Sequence, residues 1–128
     1  MRDVCLLVAR LLIAPMFFMS GLSKAMEWPG VVDAVASQGI PMPLVAGALA
    51  TAVEIAGAVL IVLGLLTRWA ALALAAFTAV ASYYFHAFWA MPEAEQGMQQ
   101  IMFMKNVAVI GGLLALAGAG PGRIALGR

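Results

Sequence analysis

Four long apolar segments constrain the fold of this chain more than any other feature. A helix that crosses a bilayer needs about 20 mostly apolar residues, and residues 4–22, 43–66, 69–88 and 101–120 meet that requirement. The hydrocarbon core offers no water to an open backbone, so each segment is predicted to be an α-helix. Since 65% of the 128 residues are hydrophobic and only 10% are charged, we expect one membrane domain over residues 1–128.

The connections between these segments are of two kinds. Residues 25–42 are too polar to continue a span, and Pro29 can begin a short helix there that Gly39 ends. Valines on one side of that piece predict a short helix in the membrane interface. Residues 90–100 are expected to form a second polar loop. The fold class is therefore all-α, an integral membrane four-helix bundle with an interfacial helix between its first two spans.

Basic residues in the loops predict the orientation. Arg2, Arg68, Arg123 and Arg128 fall on the same side of a four-span chain, whereas Lys24 lies near the other side with most of the acidic residues. The excess of arginine marks the cytoplasmic face, so both termini are predicted to be cytoplasmic.

Composition also excludes several kinds of function. A net charge of +1 provides no basic patch for nucleic acid, and the single cysteine, Cys5, rules out an internal disulfide or dithiol. One histidine without a second soft ligand nearby predicts no metal site. The first segment is not expected to be a cleaved signal peptide, because Arg10 interrupts it.

Glu54 is the residue that most needs an explanation. It lies near the middle of the second span, where a charge costs about 3 kcal/mol on insertion scales. Gly47, Thr51 and Ala58 share its helix face, so this face is small and is expected to pack on other helices. The carboxylate should then have a partner inside the bundle.

Ionisable or amide side chains on the other three spans supply the candidates. We predict a polar core or ligand-binding site that contains Arg10, Lys24, Glu54, His86, Lys105 and Asn106. Within it Glu54 is expected to pair with Arg10 on one side and with Lys105 or His86 on the other. Glu54 and His86 are the catalytic candidates, because both can carry protons near neutral pH when their surroundings allow it.

Structural interpretations of the same residues stay open. Arg10 and Lys24 can snorkel to lipid headgroups, and His86 can anchor a helix end at the interface. Lys105 and Asn106 can cap a helix that begins late. A Glu54–Arg10 bridge with a purely structural role is compatible with the same pattern.

The ordered motifs of the chain resemble those of the DoxX family of small four-helix membrane proteins, along nearly the whole length. They are ARLLIAPMFFMSGLSKAMEW, VEIAGAVLIVLGLLTRWAAL, SYYFHAFW and MKNVAVIGGLLALAGAGPGR. Within them we expect close helix packing at Gly21, Gly57, Gly64, Gly111 and Gly112. The final GRIALGR lacks the Ser-x-Asp of many relatives, so no role for a C-terminal acid carries over.

The resemblance implies a bacterial inner-membrane protein associated with redox assemblies. We predict a subunit or accessory of a thiol, sulfur or quinone-linked oxidoreductase complex, with no autonomous activity. The expected cofactor of such a subunit is quinone, with electrons supplied by a redox-protein partner. The lipid bilayer and a second copy of the chain are the other expected partners. The alternatives are a structural scaffold or assembly factor and a small proton-coupled transporter.

Overall fold

The computed structural model describes residues 1–127, and over this range it contains five α-helices, one short 3-10 helix at Phe88–Ala90 and no strand. All the α-helices except the second are long and apolar enough to cross a membrane. The prediction of an all-α membrane bundle is therefore confirmed. The helices are α1 (Arg2–Met26), α2 (Trp28–Ser37), α3 (Pro43–Leu63), α4 (Thr67–Phe85) and α5 (Glu93–Ala119).

The short helix between the first two spans is present as α2. Pro29 lies in its first turn, where the missing N–H would have no partner in any case. The chain leaves α2 through Gly39, whose φ of +76° is a left-handed conformation that glycine adopts without strain. This turn directs the chain back into α3.

The prediction of a polar loop over residues 90–100 is wrong for most of that range, because α5 begins at Glu93. Pro92 precedes the helix, and Glu93 and Glu95 in its first turn interact favourably with the positive end of the helix dipole. The 27 residues of α5 span about 40 Å. The helix is thus longer than its apolar part, and a polar N-terminal extension precedes the span.

The long helices form two antiparallel pairs. α1 packs mainly on α3 and α4 mainly on α5, while contacts between α3 and α4 join the pairs and α2 rests on α3. We call the end that holds the N-terminus and the α3–α4 turn the terminal end. The opposite end, with α2 and residues 86–92, is the loop end.

A tightly packed apolar core fills the half of the bundle toward the terminal end. Many of its members are alanines, which let the helix backbones approach closely. The core consists of Ala14, Phe17, Ala58, Ile61, Ala70, Ala71, Leu74, Ala75, Leu113, Leu116 and Ala117.

Arginines bind the free carbonyl groups at the terminal end. The buried Arg10 guanidinium donates to the Ile61 and Val62 carbonyls at the end of α3, both at 2.8 Å. It also donates to the carbonyls of Pro121 at 3.0 Å and Ile124 at 2.6 Å. The last carbonyls of a helix have no partner within the helix, so Arg10 closes α3 and holds the C-terminal segment against it.

The predicted packing glycines have different surroundings. A Cβ on Gly57 would lie 2.9 Å from Leu74 Cγ, and one on Gly64, whose φ is +74°, would meet Ala125 and Arg10. By contrast, a Cβ on Gly111 would meet nothing within 4 Å, and one on Gly112 would lie 3.7 Å from Ile13. Close packing within the described chain therefore occurs at Gly57 and Gly64 but not at Gly111.

Candidate functional site

A cavity of about 410 Å³ lies in the half of the bundle toward the loop end. All five α-helices contribute to its wall, and its volume is within the range of pockets that bind small molecules. The apolar part of the lining consists of Met16, Phe17, Val31, Ala34, Val35, Ala50, Phe77, Ala81, Phe85 and Met102. Polar side chains from α1, α3, α4 and α5 interrupt this lining.

The Lys24–Glu54 ion pair is the strongest polar contact in the cavity wall. Lys24 Nζ lies 2.6 Å from Glu54 Oε1, and the Glu54 side chain is only 3% exposed whereas that of Lys24 is 30% exposed. Lys24 Nζ also donates to Ser20 Oγ at 2.8 Å and lies 6.0 Å from the centre of the Phe77 ring. The lysine therefore joins the carboxylate to the more accessible part of the cavity.

Gly21 allows α1 to approach α3 closely beside this pair. A Cβ at Gly21 would lie 2.6 Å from Ile55 Cγ1 and 3.1 Å from Glu54 Cβ, so any larger residue would push the helices apart. The close approach places Lys24, one turn further along α1, at ion-pair distance from Glu54.

Glu54 and Lys24 both retain hydrogen-bonding capacity. Apart from the ion pair, the buried Glu54 Oε1 has no hydrogen-bond partner among residues 1–127. A carboxylate can accept about four hydrogen bonds, and an ammonium group can donate three. Lys24 directs one of its three N–H groups to Ser20 and one toward Glu54. A ligand in the cavity can therefore be bound by either group.

Two further hydrogen bonds reach α5 at the cavity. One comes from α4 and the other from His86, the residue that follows α4. Asn106 Nδ2 donates to Ser82 Oγ at 2.9 Å. His86 Nδ1 lies 2.7 Å from Gln99 Oε1, and because an amide oxygen only accepts, Nδ1 carries the hydrogen. In the neutral ring this leaves Nε2 as an acceptor.

The apolar face of α2 covers part of the cavity. Val31, Ala34 and Val35 belong to its lining, and Val35 is buried. Of the valines predicted to give α2 one apolar side, Val31 and Val35 thus face the interior of the bundle.

Five of the six residues predicted for the polar core line this cavity, namely Lys24, Glu54, His86, Lys105 and Asn106. Among residues 1–127 the ion pair of Glu54 is with Lys24, so the predicted pairs with Arg10 and with Lys105 or His86 are wrong. Arg10 instead binds backbone carbonyls at the terminal end. Arg10 lies 11 residues before Gly21 on α1, a rise of about 16 Å. No side chain of this length reaches Glu54 from there. Lys105 lines the cavity and is exposed.

The sequence interpretation missed two polar partners. Gln99 falls within the range predicted as a loop, although it lies seven residues before Asn106, which is two turns of one helix face. A helix predicted to begin directly after Pro92 would have included Gln99. Ser20 precedes Lys24 by four residues, the spacing at which side chains of a helix meet.

Comparison with known proteins gives a consistent family assignment. The DoxX family model matches residues 5–87. The chain is 39% identical to the inner membrane protein YphA of Escherichia coli over 99% of its own length and 91% of that protein. It is 35% identical to the inner membrane protein YqjF of the same organism, over 100% of its own length and 93% of that protein. No solved structure matches it.

Proposed function

The chain belongs to the DoxX family and is a multi-pass protein of the bacterial inner membrane, and we propose that it is a membrane subunit that binds a quinone in the cavity at its loop end. A redox protein in the same membrane would exchange electrons with this quinone. The single observation that carries the proposal is the 410 Å³ apolar cavity with an ion pair in its wall, of which the carboxylate is buried.

The donor set of the cavity fits a quinone. A quinone has a flat apolar ring and two carbonyl oxygens that accept hydrogen bonds. Lys24 and Lys105 supply ammonium donors, and Phe17 and Phe77 supply apolar surface of the right kind for the ring. The combination of an apolar pocket with a few convergent polar groups is typical of a small-molecule site.

The residues of the chain also fit the movement of protons. When bound, a quinone accepts two electrons and two protons to become a quinol. Glu54 and His86 are the carboxylate and the imidazole of the cavity wall, and side chains of both kinds serve as general acids and bases. Lys24 holds Glu54 in place, and Gln99 fixes the His86 ring so that Nε2 remains free for proton exchange.

The position of the cavity agrees with this role. We propose that both termini are cytoplasmic, that the loop end faces the periplasm and that residues 1–128 act as one unit. Three of the four arginines that support this orientation, Arg2, Arg68 and Arg123, belong to the described chain, and Arg128 lies outside the described residues. A partner that meets the loop end would then exchange electrons near the outer leaflet.

The test is quantitative analysis of lipids and proteins that co-purify with the chain in native nanodiscs. We expect about one quinone per chain in the wild type, and at least a threefold loss in Lys24→Met. The matched control is Arg123→Met, which removes an exposed cation at the terminal end. A co-purifying oxidoreductase would identify the partner.

The alternatives predict other results in the same experiment. Phospholipid alone, with wild-type and Lys24→Met samples indistinguishable, would contradict quinone binding and favour a scaffold. Proton-dependent solute uptake into vesicles that is lost in Glu54→Gln would favour a transporter.

A further inference from the structure

The charges that line the cavity do not cancel. Lys24 and Glu54 neutralise each other at 2.6 Å, and the other ionisable groups of the lining are His86 and Lys105. With neutral histidine the lining carries one net positive charge, and protonation of His86 would make it more positive. An uncharged ligand would leave this charge without a counterion.

Lys105 is the source of the excess charge. Among residues 1–127 no carboxylate lies within 4.0 Å of its ammonium group. The acidic residues at the start of the same helix, Glu93 and Glu95, are 12 and 10 residues away, which is about 18 and 15 Å along α5. They are too distant to form an ion pair with it.

The surroundings of Lys105 increase its attraction for an anion. Lys105 is exposed at the wall of a mainly apolar cavity, so its cation is accessible to a ligand that enters there. Within a membrane segment an unpaired lysine is costly, and a partner that brings a negative charge removes part of that cost. Phe17 and Phe77 in the same lining require that this partner also have an apolar body.

We infer that the cavity selects an anionic ring compound, with an ionised oxygen bound by Lys105 and the ring held between the apolar walls. This inference rests on the proposed function and deepens it, because it assigns a charge to the ligand and the recognition of that charge to one residue. The chemical class is an aromatic or quinonoid enolate or carboxylate. Lys24 and Glu54 then bind the opposite polar edge of the ring.

The test compares two naphthoquinones of nearly equal size, 2-hydroxy-1,4-naphthoquinone, which is ionised at neutral pH, and 2-methyl-1,4-naphthoquinone, which is uncharged. Binding is measured by quenching of tryptophan fluorescence in phosphatidylcholine nanodiscs, with empty discs as the correction for membrane partitioning. We expect the wild type to bind the hydroxy compound about tenfold more tightly. Lys105→Met should abolish this preference, because it should lower the affinity for the hydroxy compound much more than the affinity for the methyl compound.

Two variants separate charge from folding. Lys105→Arg keeps the cation and should keep the preference, and Arg123→Met removes a cation outside the cavity and should have no effect. Absence of binding by both compounds would contradict the proposed function itself. Equal binding, or tighter binding of the methyl compound, would overturn the anion inference while the proposed function stands. Loss of the preference in phosphatidylglycerol discs would also overturn it, because lipid headgroups would then be the partners of Lys105.

Discussion

Glu54 is a buried carboxylate whose charge is paired with one lysine of the neighbouring helix. The two partners are not equivalent, because the Glu54 side chain is 3% exposed and the Lys24 side chain 30% exposed. Removing the lysine leaves a buried charge without a partner, whereas removing the carboxylate leaves a cation that water or headgroups can reach. The pair should therefore respond asymmetrically to mutation.

A double-mutant cycle measures this asymmetry. Lys24→Met is expected to lower the free energy of unfolding by about 3 kcal/mol, the typical cost of breaking a buried pair. Glu54→Gln should cost about 1 kcal/mol, and the double variant should be more stable than Lys24→Met alone. Unfolding in mixed micelles by increasing dodecyl sulfate gives these values. Glu95→Gln is the control, and purely additive effects would show that the two side chains do not interact.

Arg10 has a structural role that lysine cannot fill. Its planar guanidinium reaches four carbonyls at distances of 2.6 to 3.0 Å, whereas a lysine has three N–H groups on one nitrogen. We expect Arg10→Lys to cost about 2 to 3 kcal/mol. It should also make residues 121–124 accessible to protease. Arg123→Lys should change stability by less than about 0.5 kcal/mol, and an equal effect of both changes would contradict this role.

The sequence predicted which polar residues line the cavity better than it predicted their pairs. Arg10 and Lys24 share one face of α1, so periodicity alone cannot decide which of them meets Glu54. That choice depends on how far α1 is shifted along α3. The shift is fixed by Gly21 against Ile55, a contact between residues that are distant in sequence.

At the scale of helices, hydropathy predicted the spans and the short α2 but not the start of α5. A span must be apolar because lipid surrounds it, but a helix does not have to end where the lipid ends. Glu93–Ala119 therefore forms one helix with a polar beginning. The error had a consequence for the site, because Gln99 on this extension fixes the ring of His86.

Helix packing can be tested with two glycines that differ only in their surroundings. Gly57→Ala would place a Cβ 2.9 Å from Leu74 Cγ, so we expect a loss of about 1 to 3 kcal/mol in unfolding free energy. Gly111→Ala meets nothing within 4 Å and should be neutral or stabilising by up to about 1 kcal/mol. The same micelle titration compares them. A similar change in both would show that α3 and α4 are not packed this closely.

At the scale of the whole molecule, the two ends of the bundle have different physical roles. The terminal end is closed by a dry apolar core and by arginines on helix carbonyls. The loop end contains the cavity and its ionisable groups. Changes at the terminal end, such as Arg10→Lys, should therefore lower stability and leave ligand binding largely intact, whereas Lys24→Met at the cavity affects both.

The proposed orientation is tested by single cysteines at the two ends. In a Cys5→Ser background, Glu95→Cys at the loop end should react with a membrane-impermeant maleimide in intact spheroplasts. Arg123→Cys at the terminal end should react only after lysis. Both positions are exposed, so a permeant maleimide should label both and serves as the control. The reverse pattern would place the cavity on the cytoplasmic side.

The contacts of Arg10 also bear on how the protein is made. Two of its four carbonyl partners lie 111 and 114 residues later in the chain. At about 5 to 20 residues per second, the ribosome adds them roughly 6 to 23 seconds after Arg10. During that time α1 carries a charge that lacks two of its four hydrogen-bond acceptors, and a poorly solvated charge within lipid is costly. The full set of hydrogen bonds that stabilises Arg10 is therefore completed only when the C-terminal segment arrives, which links the first helix to the last step of synthesis.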